Sequence, residues 1–149
     1  MVQKTERIFR NSLTDLNNVW FIKLQNIHTT STPADFLILT ENYRYLIECK
    51  EIALYKGYNS FSFDRLTQEN DLIEFNKKHN MNRSVILLNF RDKTLKKSHA
   101  YFIHLDRYLL MKKDINKKSI NIEQMDYYFN EFRINILPRS KFNLNKYLV

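Results

Sequence analysis

The chain has 149 residues, 44% hydrophobic and 27% charged, with a formal net charge of +8, which suits one soluble domain, residues 1–149, with a real core. Its single cysteine, Cys49, excludes an internal disulfide and fits a reducing compartment. No run approaches the ~18 apolar residues of a membrane span and the N-terminus MVQKTERIFRNS lacks the apolar core of a signal peptide, so a cytoplasmic location with no membrane partner is expected.

In chain order, Thr5 to about Asn17 reads as a helix, because Phe9, Leu13 and Leu16 recur at helical spacing. Val19 to Leu24 reads as a strand, Gln25 to Pro33 as a polar loop, and Ala34 to Thr40 and Tyr43 to Lys50 as two strands joined at Glu41-Asn42. Asn tolerates the positive φ that a tight hairpin turn requires. Ile52 to Phe63 is aromatic and irregular, and holds Gly57, the only glycine. A helix is expected from Asp64 to about His79 with Leu72, Ile73 and Phe75 inward. Ser84 to Phe90 is a strongly apolar strand, Arg91 to Ser98 a basic turn, and His99 to Leu105 another strand. A short helix follows at Asp106 to Lys112, then a polar linker at Asn116 to Ser119, a helix at Asn121 to Phe129 and a short strand at Arg133 to Leu137. This order predicts an α/β fold with a central mixed β-sheet flanked by helices.

The positive charge is concentrated. Residues 76–118 hold 12 basic and 3 acidic residues, while residues 1–75 hold 8 and 10. A polyanion partner is one reading of that excess and a solvated surface is the other. Lys77, Lys78, Arg83, Lys93, Lys96 and Lys97 are the phosphate-contact candidates in this region, with Lys56 and Arg65 upstream. Such contacts set affinity and salt dependence and carry no sequence information.

The chemistry concentrates in Pro33-Ala34-Asp35 and Glu48-Cys49-Lys50. With a turn at Glu41-Asn42, Thr40 faces Tyr43, Ile38 faces Tyr45, Phe36 faces Ile47, and Asp35 falls opposite Glu48. Directly opposed residues share a face with Cβ atoms about 5 Å apart. Alternation puts Lys50 on the face of Glu48 and turns Cys49 away, its backbone carbonyl near the edge of the cluster. Two opposed carboxylates repel unless something neutralises them. A hard divalent cation does so, and Mg²⁺ suits one or two carboxylates plus waters and phosphate. Bound metal polarises a phosphoryl oxygen and lowers the pKa of a bound water, and Lys50 can offset transition-state charge. The same spacing also suits a plain Lys50–Glu48 ion pair, with Asp35 at a frayed strand start.

Two more polar residues fall on inward stripes. Glu6 lies three before Phe9 on the first helix, though an i,i+4 surface pair with Arg10 is an alternative. Gln68 lies four before Leu72, where helix-start capping or solvent exposure is the alternative to a bond with water or phosphate.

Taken in order, these pieces resemble the PD-(D/E)xK nuclease superfamily, with its restriction-endonuclease-like core, and more narrowly the RecU-type Holliday junction resolvases. Ser31-Thr32-Pro33-Ala34-Asp35-Phe36 resembles the entry to the family's active-site strand, and Tyr45 to Glu51 its apolar run into Glu-x-Lys. Ser60 to Phe63 followed by Gln68, the strands at Val85–Phe90 and Ala100–Tyr108, Ser119-Ile120 and the tail Leu144 to Leu148 resemble its later segments. The resemblance implies a Mg²⁺- or Mn²⁺-dependent homodimeric endonuclease that nicks four-way DNA junctions. It implies metal on Asp35, Glu48 and the Cys49 carbonyl, with Lys50 and Gln68 acting on water and phosphate and Glu6 as the first-helix acid. RecU-type enzymes carry a long basic stalk before the active-site Asp, whereas only Gln25 to Ala34 fills that gap here. Duplex, flap or end substrates, and a non-catalytic DNA-binding protein on the same fold, therefore stay open.

The remaining polar and aromatic residues read as structural. His28, His79, His99 and His104 have no metal-ligand spacing, and Trp20 and the tyrosines read as core or interface residues. Tyr55, Tyr58, Phe61 and Phe63 suit either the core or contact with bases and sugars.

Overall fold

The computed structural model describes residues 4–25, 32–55 and 59–149. Helix α1 (Lys4–Leu13) is followed by strands β1 (Trp20–Lys23), β2 (Phe36–Leu39), β3 (Arg44–Leu54) and β4 (Ser60–Ser62). A 3₁₀ turn at Phe63–Arg65 leads to α2 (Glu69–Lys78), β5 (Asn82–Asp92), β6 (Lys97–His104), α3 (Leu105–Ile115), β7 (Ser119–Asn121) and α4 (Ile122–Phe129).

Five strands form one mixed sheet in the order β1-β2-β3-β5-β6. Strands β1, β2 and β3 are antiparallel neighbours, β3 and β5 are parallel over eleven residue pairs, and β5 and β6 are antiparallel. The expected α/β fold with a central mixed sheet flanked by helices is what the chain adopts. Alternate side chains separate the core into two layers. Tyr45, Ile47 and Cys49 of β3, Val85 and Leu87 of β5 and Phe102 of β6 meet Phe9 and Leu13 of α1 and the C-terminal Phe142, Leu144 and Leu148. Leu46, Ile52, Ile86, Leu88, Tyr101 and Ile103 meet Leu72 of α2, Tyr108 and Met111 of α3 and Met125 and Phe129 of α4.

The β2–β3 hairpin has the expected register. Phe36 pairs with Ile47, Ile38 with Tyr45 and Leu39 with Arg44, and the Thr40 N–H donates to the Tyr43 carbonyl at 2.9 Å.

Elsewhere the element bounds differ from expectation, each for a physical reason. Helix α1 stops at Leu13, where Ser12 and Thr14 bond back to the carbonyls of Ile8 and Asn11 and compete with the next turn. Strand β3 runs on to Leu54 because β5 pairs with it along its whole length. Helix α2 starts at Glu69, after the 3₁₀ turn, instead of at Asp64. Helix α3 is longer than expected and ends on Asn116 in the left-handed conformation, φ 49°. Strand β7 begins at Ser119, the last residue of the expected linker, and pairs with β4 in a second small sheet, and Asn121 then caps α4 through a capping box with Gln124. Arg133 to Leu137 forms no strand; Arg133 and Ile136 make single bridges, to Tyr101 and Phe142. Trp20 is 56% exposed, so it is no core residue, because β1 is an edge strand. Among the described residues no helix is long and apolar enough to cross a membrane.

Candidate active site

Asp35 sits immediately before β2, and its backbone is tied on both sides. Its N–H donates to the Ile47 carbonyl at 3.0 Å, and its carbonyl accepts from the Leu24 N–H at 2.8 Å. One carboxylate oxygen, Oδ2, accepts from the Cys49 N–H at 2.8 Å. The other, Oδ1, accepts from Lys23 Nζ at 3.1 Å. The end of β2 is therefore locked to the middle of β3.

Glu48 is only 4% exposed. Its sole ion pair among the described residues is with Lys50, Nζ to Oε1 at 3.2 Å. Burial, the Asp35 charge and more weakly that of Glu6 push its carboxyl up to about 7, against the opposing pull of Lys50. A neighbouring carboxylate thus disfavours its ionised form, as two acids competing for one site do.

Glu6 approaches from α1. Its Oε2 lies 3.2 Å from Lys23 Nζ, so its partner is Lys23 and not Arg10. Burial, then Asp35, raises its carboxyl, with Lys23 opposing. Burial alone would lower the Lys23 ammonium, but Asp35 and Glu6 outweigh it and the net direction is up. The first turn of α1 is itself anchored. Thr5 Oγ1 donates to Glu51 Oε1 at 2.7 Å and accepts from Asn89 Nδ2 at 3.0 Å, and Glu51 and Asn89 are paired positions of β3 and β5.

A cleft of about 1040 Å³ opens beside Glu6, Lys23 and Asp35, and Arg7, Arg10 and Thr32 line it too. Its lining mixes the acids Glu6 and Asp35 with the cations Arg7, Arg10 and Lys23, and Glu6, Arg7 and Arg10 all come from α1.

Among the described residues no three His, Cys, Asp or Glu side chains converge as a ready-made cation cage. The donors present are hard oxygens, two carboxylates and the neighbouring Cys49 carbonyl, and Mg²⁺ takes one or two carboxylates and completes its shell with waters and substrate phosphate. The mutual repulsion of Asp35 and Glu48 is what such a cation would relieve. The residues fit a Mg²⁺ or Mn²⁺ ion that uses few protein ligands.

Gln68 stands just before α2 and makes no side-chain capping bond to it. Its Oε1 is buried with no hydrogen-bond partner among the described residues. Cys49 is fully buried on the α1 side of the sheet, and burial raises its thiol well above the ordinary range. Phe61 and Phe63 belong to the core while Tyr55 is exposed. Tyr58 and Lys56, with His28 of the loop, lie outside the described residues.

The phosphate-contact candidates divide between two ends of the sheet. Lys93, Lys96 and Lys97 are exposed around the β5–β6 turn, next to the C-terminal end of β3. Arg65 lies at that end too; its Nη2 donates to the Glu51 carbonyl at 3.0 Å and it stacks 5.6 Å from the Phe61 ring. Lys77 and Lys78 end α2, and Arg83 begins β5 beside the start of β3, at the other end of eleven paired residues, roughly 33 Å away at the rise of a strand. Arg83 is occupied there, donating to the carbonyls of Asn80 and Asn82 and lying 4.5 Å from the Tyr43 ring.

Sequence reasoning missed Lys23, Arg7, Arg10, Thr5 and Asn89 as site residues. The available signal for Lys23 was its place at the polar end of an apolar strand, but its pairing with Phe36 spans a loop whose length sets no register.

No family model and no curated protein matches this sequence. The chain is similar to the solved structure of Hjc, a Holliday junction resolvase from Archaeoglobus fulgidus, an archaeal hyperthermophile, with a TM-score of 0.48 and 16% identity over 78% of this chain and 86% of that one.

Proposed function

We infer that the chain is a Mg²⁺- or Mn²⁺-dependent DNA endonuclease of PD-(D/E)xK type that hydrolyses phosphodiester bonds. One observation carries the reading: Asp35, in the wall of an open cleft, accepts from the backbone N–H of Cys49, the residue between buried Glu48 and Lys50, which pair at 3.2 Å. A buried carboxylate with a second acid near it is costly on structural grounds alone.

In this reading Asp35 and Glu48, with the Cys49 carbonyl, hold the metal. When bound, the metal supplies Lewis-acid activation of the phosphoryl group and of water. Asp35 is fixed by the Cys49 N–H and presents its carboxylate in one orientation. Lys50, half-buried and paired with Glu48, supplies positive charge where the phosphoryl oxygens become more negative. Arg7, Arg10, Arg65 and the lysines at 93, 96 and 97 hold the polyanion electrostatically.

The substrate we assign by resemblance is branched DNA, the four-way junction of RecU-type enzymes, cut by a homodimer in the cytoplasm. Linear duplex, flaps or ends form a second reading, favoured by the short Gln25–Ala34 segment. Cleavage of a mobile four-way junction, a flap and a linear duplex, with Mg²⁺ and with EDTA, tests both. Symmetric paired nicks in the junction support the first. Preferential cutting of duplex or flap supports the second. DNA binding with no cleavage of any substrate in Mg²⁺ or Mn²⁺ overturns both in favour of a non-catalytic binder. Light scattering of the purified protein tests the dimer.

A further inference from the structure

Lys23 Nζ lies 3.2 Å from Glu6 Oε2 and 3.1 Å from Asp35 Oδ1, and so bridges two acids from different elements. The three side chains are 25%, 14% and 15% exposed, so bulk solvent screens the contact only weakly. The other oxygen of Asp35 is held by the Cys49 N–H. Oδ1, the atom that Lys23 occupies, is therefore the oxygen with room to change partners. A lysine ammonium is a compact point charge on a flexible four-carbon stem, and the Phe36 ring, 5.2 Å away, offers it a second resting surface.

We propose that Lys23 is a built-in counter-ion that stands in for the divalent metal in the metal-free protein and must leave Asp35 when metal binds. The inference rests on the metal-site reading above. Without Lys23, Glu6 and Asp35 would repel each other across the cleft, and α1 would lose its electrostatic tie to the sheet. With Lys23 in place the acids are assembled in advance. A metal then competes with a charge of its own sign, because a divalent ion on Asp35 and an ammonium 3.1 Å from the same oxygen repel strongly. Lys23 is thus a positioning residue that sets metal affinity.

The test is calorimetric titration of Mn²⁺ into the full chain and into Lys23→Met. The expected result is binding tighter by roughly fivefold in the variant, the equivalent of ~1 kcal/mol of competing ion pair removed. A residue that merely held the fold would weaken binding on removal. Equal or weaker binding by the variant, with clear binding to the parent chain, overturns the proposal and leaves the metal site standing. Mn²⁺ heat from neither protein overturns the metal site and the proposal with it. A measurement on the parent chain guards against a misfolded variant: amine-reactive labelling at Lys23, read by peptide mass spectrometry. Saturating Mn²⁺ is expected to raise labelling several-fold, and unchanged labelling in a chain that binds Mn²⁺ overturns the proposal.

Discussion

Asp35 accepts a 2.8 Å hydrogen bond from the backbone N–H of Cys49, the residue between Glu48 and Lys50. The contact is made by a main-chain donor, so it fixes where the Asp35 carboxylate stands without depending on any side-chain rotamer of β3. It also separates two roles of one residue, as a hydrogen-bond acceptor and as a charge.

Asp35→Asn and Asp35→Ala should separate those roles. The asparagine oxygen can still accept from Cys49, so that variant should melt within about 1 kcal/mol of the parent, whereas alanine leaves the N–H without this acceptor and should cost ~1–3 kcal/mol. Both should lose at least about 100-fold in Mg²⁺-dependent cleavage, the scale of removing one electrostatic contributor, and both should lose Mn²⁺ binding. Thermal melts alongside junction cleavage check this. Full cleavage by Asp35→Asn would rule out Asp35 as a metal ligand.

Glu48 should make metal-free stability fall as pH rises. Its carboxyl titrates near 7 in the folded chain, raised by burial and by Asp35, against an ordinary value of 4.5. Below pH 4.5 both folded and unfolded chains carry the proton. Between 4.5 and 7 the unfolded chain has released it while the folded chain keeps it, so stability declines across that window and is flat above. Glu48→Gln mimics the protonated acid, so it should match the parent near pH 4 and exceed it by about 1–3 kcal/mol at pH 8. Urea melts in EDTA at the two pH values measure this. Adding Mn²⁺ should favour the ionised acid, stabilise the parent at pH 8 and leave the variant unmoved. A parent chain whose stability in EDTA is the same at pH 5 and pH 8 would contradict the assignment.

The hairpin register was legible because one short turn, Glu41-Asn42, sets it and the apolar alternation confirms it; in the structure the Asp35 carboxylate meets the Cys49 N–H and Lys23. The route of Glu6 to the site was legible from the helical spacing of Phe9 and Leu13. Lys23 was not, because β1 reaches β2 across a long polar segment, and a long loop leaves register free. The second sheet was invisible for a related reason: β4 and β7 are three residues each and are joined only in space. The basic middle third read as one feature, but a parallel β3–β5 pair puts its members at opposite ends of the sheet.

Thr5 should control the placement of Glu6 without touching the reaction. Its hydroxyl links Asn89 of β5 to Glu51 of β3, and the Oδ1 of Asn89 already lacks a partner among the described residues. Thr5→Val keeps the shape and removes both bonds, which should cost about 1–3 kcal/mol because buried groups are left unpaired. Hydrogen exchange should show faster opening of α1 while β5 stays protected. Thr5→Ser, which retains the hydroxyl, should restore the parent behaviour. Uniform loss of protection across the sheet would show that the network holds the whole fold and not the helix alone.

Gln68 gives the sharpest separation of stability from function. A buried oxygen without a partner lowers stability, and Gln68 Oε1 is such an atom among the described residues. Gln68→Leu removes it and fills a similar volume, so the melting temperature should stay level or rise. If Gln68 meets water or phosphate during cleavage, the same variant should lose about 100-fold or more in turnover, the scale of removing one hydrogen-bonding group from a transition state. A variant that melts higher and cuts more slowly places Gln68 in the reaction. One that melts lower and cuts at the parent rate shows instead that its side chain serves the start of α2.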